Sequence, residues 1–425
     1  MRFKKRTLFF LFLLFSTVAF GQETLSLSEA ITRSLENNYD VRIVRLNEKA
    51  AAITNSWGEA GALPSFAFSF SGTRTRDREE ETDTDVVSGG LSLSWILFDG
   101  FAVHIRKGRL NDLEKLSEGN TAILVEQTIQ AVILSYYNAL LQQQTCSVMD
   151  TLRLLSKDRF DRAEAQQKLG TLVTYDLLQA KNAWLEDEAN FLRQQSTTRN
   201  AQRGLNYLMG VQDDVTYALS DPFEAEPQLF SYPAMFEKLK ADNATLRNKY
   251  VEQRLLEKNV ALAASDFAPS VTLRGGIEKS RRQGDLIAIT DTYQRYGTLS
   301  LSWNLFTGGT RFHAIQVAKL DREIGKTEIE SMIHSLANSL ATTLENYNVR
   351  KQLLEVAEEA LKTAELNLKI SKEKFKTGAI NSFNYRDVQL LYLNASLGKL
   401  QSIYNLIDSE TELLLLTGGI LSSYR

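Results

Sequence analysis

One cysteine, five prolines and three histidines are all that 425 residues hold of those types. A single thiol, Cys146, forms no intramolecular disulfide and no Cys-rich metal site. So few prolines, with only 23 glycines, leave little to interrupt helices and predict long ones. His104, His313 and His334 are scattered, with no HExxH or other ligand spacing, and no P-loop, nucleophile elbow or dinucleotide fingerprint occurs. The pairs Gly89-Gly90, Gly275-Gly276 and Gly308-Gly309 read as turn or strand glycines rather than phosphate cradles. The sequence therefore predicts no catalytic residue, no metal and no cofactor, and an enzyme is not the expected class. Positive charge is also scarce: 49 Lys and Arg face 52 Asp and Glu, with no basic stripe of the kind a nucleic-acid partner requires.

Long apolar runs are missing too. Arg2, Lys4, Lys5 and Arg6 precede an apolar run from Leu8 to Phe15, and Ala19-Phe20-Gly21 forms a small-x-small cleavage site. That is the layout of a secretory signal peptide over residues 1–21. The run is shorter than the ~20 residues a membrane helix needs, and no cysteine follows it to carry a lipid. Nothing later approaches spanning length, so a membrane role has to rest on β-strands.

What the chain does have is repetition. LSLSWILFDG at 91–100 returns as LSLSWNLFTG at 299–308, identical at eight of ten positions. NNYDVR at 37–42 is echoed by DNATLR at 242–247, ALPSFAFSFSG at 62–72 by FAPSVTLRGG at 267–276, KLGTLVTYD at 168–176 by KTGAINSFN at 376–384, and LNYLMG at 205–210 by LLLLTG at 413–418. Five echoes in one order indicate a duplicated half-protein, and the unit is far too long for a solenoid repeat.

The periodicity predicts the same programme in each half. Residues 22–210 form a first repeat: a helix over 28–61, a β-hairpin over 63–98, then a long helical hairpin with its tip near 170. Residues 211–230 form a connector with little periodicity. Residues 231–425 form a second repeat, with a helix to 267, a β-hairpin over 268–306 and a helical hairpin with its tip near 378.

In the strands Leu91, Leu93 and Trp95 alternate with Ser92 and Ser94, and Leu299, Leu301 and Trp303 with Ser300 and Ser302. Apolar faces on strands of ~9–11 residues suit a membrane barrel. The leucines and tryptophans are then lipid-facing, and Ser92, Ser94, Ser300, Ser302 and Asn304 line a lumen. Trp95, Phe98, Trp303 and Phe306 sit near strand ends, where an aromatic girdle belongs. Four strands cannot close a barrel; about eight give one filled by side chains, so a duct implies three chains and twelve strands.

Helix lengths predict a rod. Residues 100–169 give about 105 Å of helix at 1.5 Å per residue, and the return to Met209 covers half of that. The expected completion of this return is the helix ending at Phe267. The second return, ending at Leu416, is then completed by the N-terminal helix. At the tips, Gly170 and Gly378 end helices through positive φ, and Thr174 and Ser382 are the expected N-caps. Gly170, Thr171, Leu172, Gly378, Ala379 and Ile380 offer exposed docking positions, with Leu172 and Ile380 as the apolar contacts.

The duplication, the W-x-LF-x-G joint seen twice and the G-x-x-x-(T/S)-x-(D/N) tip seen twice together resemble the TolC-like outer membrane efflux proteins, over about residues 24–419. The resemblance implies an α+β membrane protein. It implies a homotrimer with a 12-strand β-barrel in outer-membrane lipid and a long periplasmic α-helical barrel. It also implies a periplasmic adaptor meeting the tips and an inner-membrane pump. By distance from the tip glycine, Asp387 resembles a gate acid, Asn384 stands where another acid is expected, and Asp176 holds the equivalent place in the first repeat. Such a duct serves efflux or type I protein export. A secreted or periplasmic structural coiled-coil or adhesive protein is the alternative; it predicts an elongated molecule that needs no detergent.

Overall fold

The computed structural model describes residues 23–77, 82–212, 215–284 and 287–423, so the predicted signal peptide falls outside the described residues. In chain order these form β1 (Thr24–Leu25), α1 (Leu27–Asn37), α2 (Tyr39–Thr54), β2 (Ser65–Asp77), β3 (Thr82–Asp99), α3 (Ala102–Lys168), α4 (Thr174–Met209) and β4 (Ala218–Leu219). They continue with α5 (Tyr232–Asp242), α6 (Ala244–Ser265), β5 (Ser270–Gly284), β6 (Ile287–Ser302), α7 (Thr310–Lys376), α8 (Ser382–Leu416) and α9 (Ile420–Ser423). The molecule is mostly helical. Its two longest helices, α3 and α7, have 67 residues each, about 100 Å at 1.5 Å per residue.

Shorter helices flank these two. Next to the sheet the neighbours run α2, α3, α6, α7; toward the tips they run α4, α3, α8, α7. The expected helices over 28–61 and 231–267 are each broken once, at Asn38 and Asn243. The expected completion of the return helices is also reversed. It is α2, not α6, that continues α4, and α6, not α2, that continues α8.

Two asparagines show why. Helix ends leave N–H and C=O groups without partners. The Asn38 carboxamide oxygen accepts from the N–H groups of Asp40 and Val41 (2.9 and 3.2 Å), while its nitrogen donates to the Leu208 carbonyl at the end of α4 (3.0 Å). Asn243 accepts from the Leu246 N–H (2.8 Å) and donates to the Leu416 carbonyl at the end of α8 (3.0 Å). One side chain serves both helix ends. The approach is close: a Cβ on Gly210 would lie 2.7 Å from the Asn37 carbonyl oxygen, and one on Gly418 would lie 2.5 Å from that of Asp242. Both glycines also have φ of +66°, so no other residue fits either place well.

The densest core sits midway along the rod, around Tyr136, Leu205, Met209, Leu239, Leu340, Tyr347, Leu406 and Leu413. There the chain between α4 and α5 straps the bundle. Its strand β4 pairs in parallel with β1. The fully buried Tyr136 hydroxyl lies 2.9 Å from the Leu25 carbonyl and 2.6 Å from the Asp221 carboxylate. The Tyr347 hydroxyl accepts from the Gln228 N–H (2.7 Å) and donates to the Gln228 carbonyl (3.1 Å). Burial raises the pKa of both phenols, which stay neutral donors.

At one end of the rod, β2, β3, β5 and β6 form an antiparallel sheet in that order.

Candidate functional site

The sheet has two chemically distinct faces, fixed by register. Cross-strand partners share a face. Phe66 lies opposite Leu93 and Phe68 opposite Leu91. Leu91 lies opposite Ile277 and Trp95 opposite Leu273, and Leu273 and Val271 lie opposite Leu299 and Leu301. The apolar side chains therefore form one continuous surface, and Phe66, Phe68, Leu299 and Leu301 are each exposed by two thirds or more. The other face carries Ser92, Ser94, Gly276, Arg274, Ser300 and Ser302 by the same register. No helix among the described residues is long and apolar enough to cross a membrane. Among the described residues the outer strands β2 and β6, of 13 and 16 residues, have one neighbour each.

The expected strand residue Trp303 lies just past the end of β6. The ladder ends at the pair Ser270–Ser302 because β5 begins there and offers nothing further to pair with. Asn304 and Phe306 lie beyond the ladder as well. The indole N–H of Trp303 instead donates to the Phe267 carbonyl (3.1 Å), as that of Trp95 does to the Ala62 carbonyl (2.9 Å). Each tryptophan thus ties the start of one strand to the end of its hairpin partner. In the first copy β3 runs on to Asp99 across a bulge between Ile96 and Phe98.

The joints into the long helices differ. Gly308 and Gly309 enter α7 with φ of +63° and +84°. In the first copy Gly309 is replaced by Phe101, the one described non-glycine residue with positive φ (+66°), a conformation costing about 1–2 kcal/mol for an L-residue. Its ring packs edge-on to Phe98 at 5.4 Å. Asp99 offsets the strain by accepting from the Val103 N–H (3.1 Å) and pairing with Arg106 (2.6 Å).

At the far end both hairpin tips close alike. Gly170 (φ +74°) and Gly378 (φ +77°) end α3 and α7. The N–H groups of the next residues reach back to Gln166 (3.0 Å) and Lys374 (2.8 Å), satisfying carbonyls at the helix ends. The N-caps stand one residue earlier than expected, at Val173 and Asn381 instead of Thr174 and Ser382. Asn381 accepts from the Asn384 N–H at 2.9 Å, a cap Val173 has no side-chain oxygen to make. Thr171, Gly378 and Ala379 are exposed, but Leu172 and Ile380 are half-buried. The apolar side chains that reach solvent are their neighbours Leu169, Val173, Tyr175 and Phe383.

Asp176 and Asp387 line one cleft near the tips, of about 100 Å³, together with Arg159, Ser382 and Arg386. Asn384 is exposed on the first turn of α8. Sequence reasoning missed the arginines. Arg386 grips Asp187 of α4 with two hydrogen bonds, and Asp187 is 2% exposed. Arg159 of α3 is buried and donates to the Ser382 carbonyl at 3.2 Å, leaving its Nε without a partner. Burial, with the Arg386 charge nearby, lowers its pKa to about 10. Three helices from both repeats thus meet through buried charge. The only local signal was an Arg-Asp pair following the second tip.

The family model for "Outer membrane efflux protein" matches residues 30–211 and again residues 235–419. The outer membrane protein TolC of Vibrio cholerae is 20% identical over 361 residues, 83% of this chain and 81% of that one. Among solved structures, the Campylobacter jejuni CmeC outer membrane channel superposes with a TM-score of 0.76 at 17% identity, covering 92% of this chain and 85% of that one. The open state of the Neisseria gonorrhoeae MtrE outer membrane channel gives 0.74 at 17% identity, over 93% and 89%. At such identities the likeness to solved structures establishes the fold.

Proposed function

Because this chain belongs to the outer membrane efflux protein family of TolC-like channels, and resides in the Gram-negative outer membrane with a periplasmic extension, we propose that it is a trimeric exit duct. It serves a tripartite efflux or type I secretion system, passive itself and driven by an inner-membrane pump through a periplasmic adaptor.

The observation that carries this reading is the sheet with two unpaired edges and a bare apolar face. In lipid each unpaired backbone group costs several kcal/mol, so β6 of one copy must meet β2 of the next. Three copies close twelve strands, wide enough for a lumen lined by the serine face. The helices support the same closure. Exposed apolar side chains recur at helical spacing on the edge helices: Tyr39, Ile43, Leu46 and Ile53 on α2, Leu178, Leu185 and Leu192 on α4, and Val317, Leu320 and Ile324 on α7. The two segments matched by the family model support the tandem repeats, 22–210 and 231–425, joined by 211–230.

In this duct the tips meet the adaptor through Gly170, Thr171 and Leu172 and through Gly378, Ala379 and Ile380. Asp387, with Asp176 beside it and Asn384 one turn nearer the tip, narrows the periplasmic entrance; three copies of Asp387 around the axis form a cation-binding constriction.

Cysteine cross-linking tests the closure. In a chain lacking Cys146, Phe68→Cys on β2 is combined in turn with cysteines along 293–301 of β6. The expected result is disulfide-linked dimers and trimers at one register. Absence of intermolecular bonds at every position, with the protein recovered soluble without detergent, would sink the duct.

A further inference from the structure

The two β-hairpins differ beyond the apolar band, on the same outward face. On β2 and β3 that face carries Arg74 and Arg76 with Asp83 and Asp85. The charges balance and pair: Arg74 with Asp83 at 3.0 Å and with Asp85 at 3.5 Å, Arg76 with Asp83 at 2.7 Å. On β5 and β6 the register puts Lys279 level with Gly89 and Tyr293, Arg281 level with Val87 and Asp291, and Arg295 level with Leu91 and Ile277. Among the described residues three cations here face one carboxylate, and Asp291 is taken by Arg281 at 2.8 Å.

The two remaining cations are placed in a particular way. Lys279 is exposed and has no hydrogen bond or ion pair among the described residues. Arg295 stands at the level where the apolar band ends, and its Nε donates to the Tyr293 hydroxyl at 3.0 Å. Its guanidinium lies over the Tyr293 ring, 5.0 Å from the centroid. The side chain thus bends along the strand toward the hairpin end and away from Ile277 and Leu299, as a cation does when it snorkels out of an apolar layer. Tyr293 is the aromatic residue expected at such a boundary. Its hydroxyl, Lys279 and Arg295 crowd two adjacent levels of neighbouring strands, within about 5–8 Å of one another at the backbone.

We propose that Lys279, Arg295 and Tyr293 bind the phosphate groups of an acidic lipid headgroup in the leaflet at the hairpin end of the sheet. The site rests on the barrel reading, which makes this face the lipid-facing one. The lipid chains then cover Leu91, Ile277 and Leu299, and the headgroup lies directly over Lys279 and Arg295, which the single carboxylate Asp291, held by Arg281 and also near Lys279, leaves in excess. A soluble anion would use the charges but leave the adjoining apolar band unmatched, so a lipid fits the whole surface. Among the described residues the balanced β2–β3 face offers no such site, giving one per chain.

The test compares the wild type with Lys279→Gln/Arg295→Gln in detergent, by native mass spectrometry with diphosphorylated lipid A and its dephosphorylated form as probes. The wild type should retain the phosphorylated lipid. The double variant should retain it roughly 25-fold more weakly, each surface cation near an acidic membrane being worth about a factor of five. The dephosphorylated lipid should bind both proteins at the variant's level, and Arg74→Gln/Arg76→Gln should behave as wild type. Equal retention of both lipids, or an unaffected double variant, overturns the headgroup site. Displacement of the lipid by millimolar inorganic phosphate reassigns the patch to a free anion and also overturns it. A wild-type chain that stays monomeric and soluble without detergent fails earlier, and then the barrel reading itself is lost.

Discussion

Arg386 and Asp187 lie 199 residues apart in sequence and 2.6 and 2.8 Å apart at their two nitrogen–oxygen contacts. One is on the helix leaving the second tip, the other on the helix leaving the first. They fasten the two hairpins to each other just where the proposed entrance narrows. Removing one partner of a buried pair leaves the other charge uncompensated, at about 3–5 kcal/mol. Asp187→Ala, which strands Arg386 beside the buried Arg159, should lower the detergent-solubilised protein's melting temperature and raise single-channel conductance. The double variant Asp187→Leu/Arg386→Met should recover much of the melting temperature while leaving conductance high. If Asp187→Ala leaves both quantities at wild-type values, the pair does not hold the tips together.

The glycines give a graded comparison. Gly170 has positive φ but open space around it, so Gly170→Ala should cost only the left-handed penalty of about 1–2 kcal/mol. Gly210→Ala and Gly418→Ala add a methyl group within 2.7 Å of a neighbouring carbonyl oxygen. These two should lower assembled protein in membrane fractions sharply, and Gly170→Ala barely. Equal yields from all three would show that the mid-rod joints are looser than their geometry implies.

Glu410 supplies a pH dependence. Burial among the mid-rod aromatics raises its pKa, so folding favours the protonated form. A raised folded-state pKa gives stability that is present at low pH and lost as pH rises through that pKa. Glu410→Gln, neutral at every pH, should melt above wild type at pH 7.5, and the gap should close below pH 4.5, the ordinary carboxyl value. A constant gap across the range would mean that packing, not charge, sets the effect.

Asp387 is the most direct probe of the proposed constriction. Asp387→Ala should raise conductance in a planar bilayer and weaken block by multivalent cations, without changing trimer yield, since the side chain is exposed. Unaltered conductance and block would remove it from the gate.

The period-two alternation of Leu91, Ser92, Leu93 and Ser94 made the sheet's two faces legible, because strand side chains must alternate. Gly170 and Gly378 were legible as tips because few residues besides glycine take that φ. Lengths made the half-length helices visible but were blind to which half completes which: both pairings have the same lengths, and Asn38 decides by reaching Leu208, 170 residues away. Arg386 and Asp187 stayed hidden for the same reason, each looking like an ordinary surface charge on its own helix. The caps were missed by one residue: at the first tip because threonine is a capping type and valine is not, and at the second because asparagine and the serine after it cap about equally well. Trp303 left the strand because its neighbour β5 begins level with Ser302, a limit set by another strand and not by its own sequence.

The joints at Asn38 and Asn243 also decide how a load on the tips is carried. No peptide bond links α4 to α2 or α8 to α6 where they meet; only capping hydrogen bonds and apolar contact do. A twist applied at the tips therefore passes to the sheet as a continuous backbone along α3 and α7 alone. The other two helices cross a break in the backbone at mid-rod, where a load on the tips is carried by the side chains of Asn38 and Asn243.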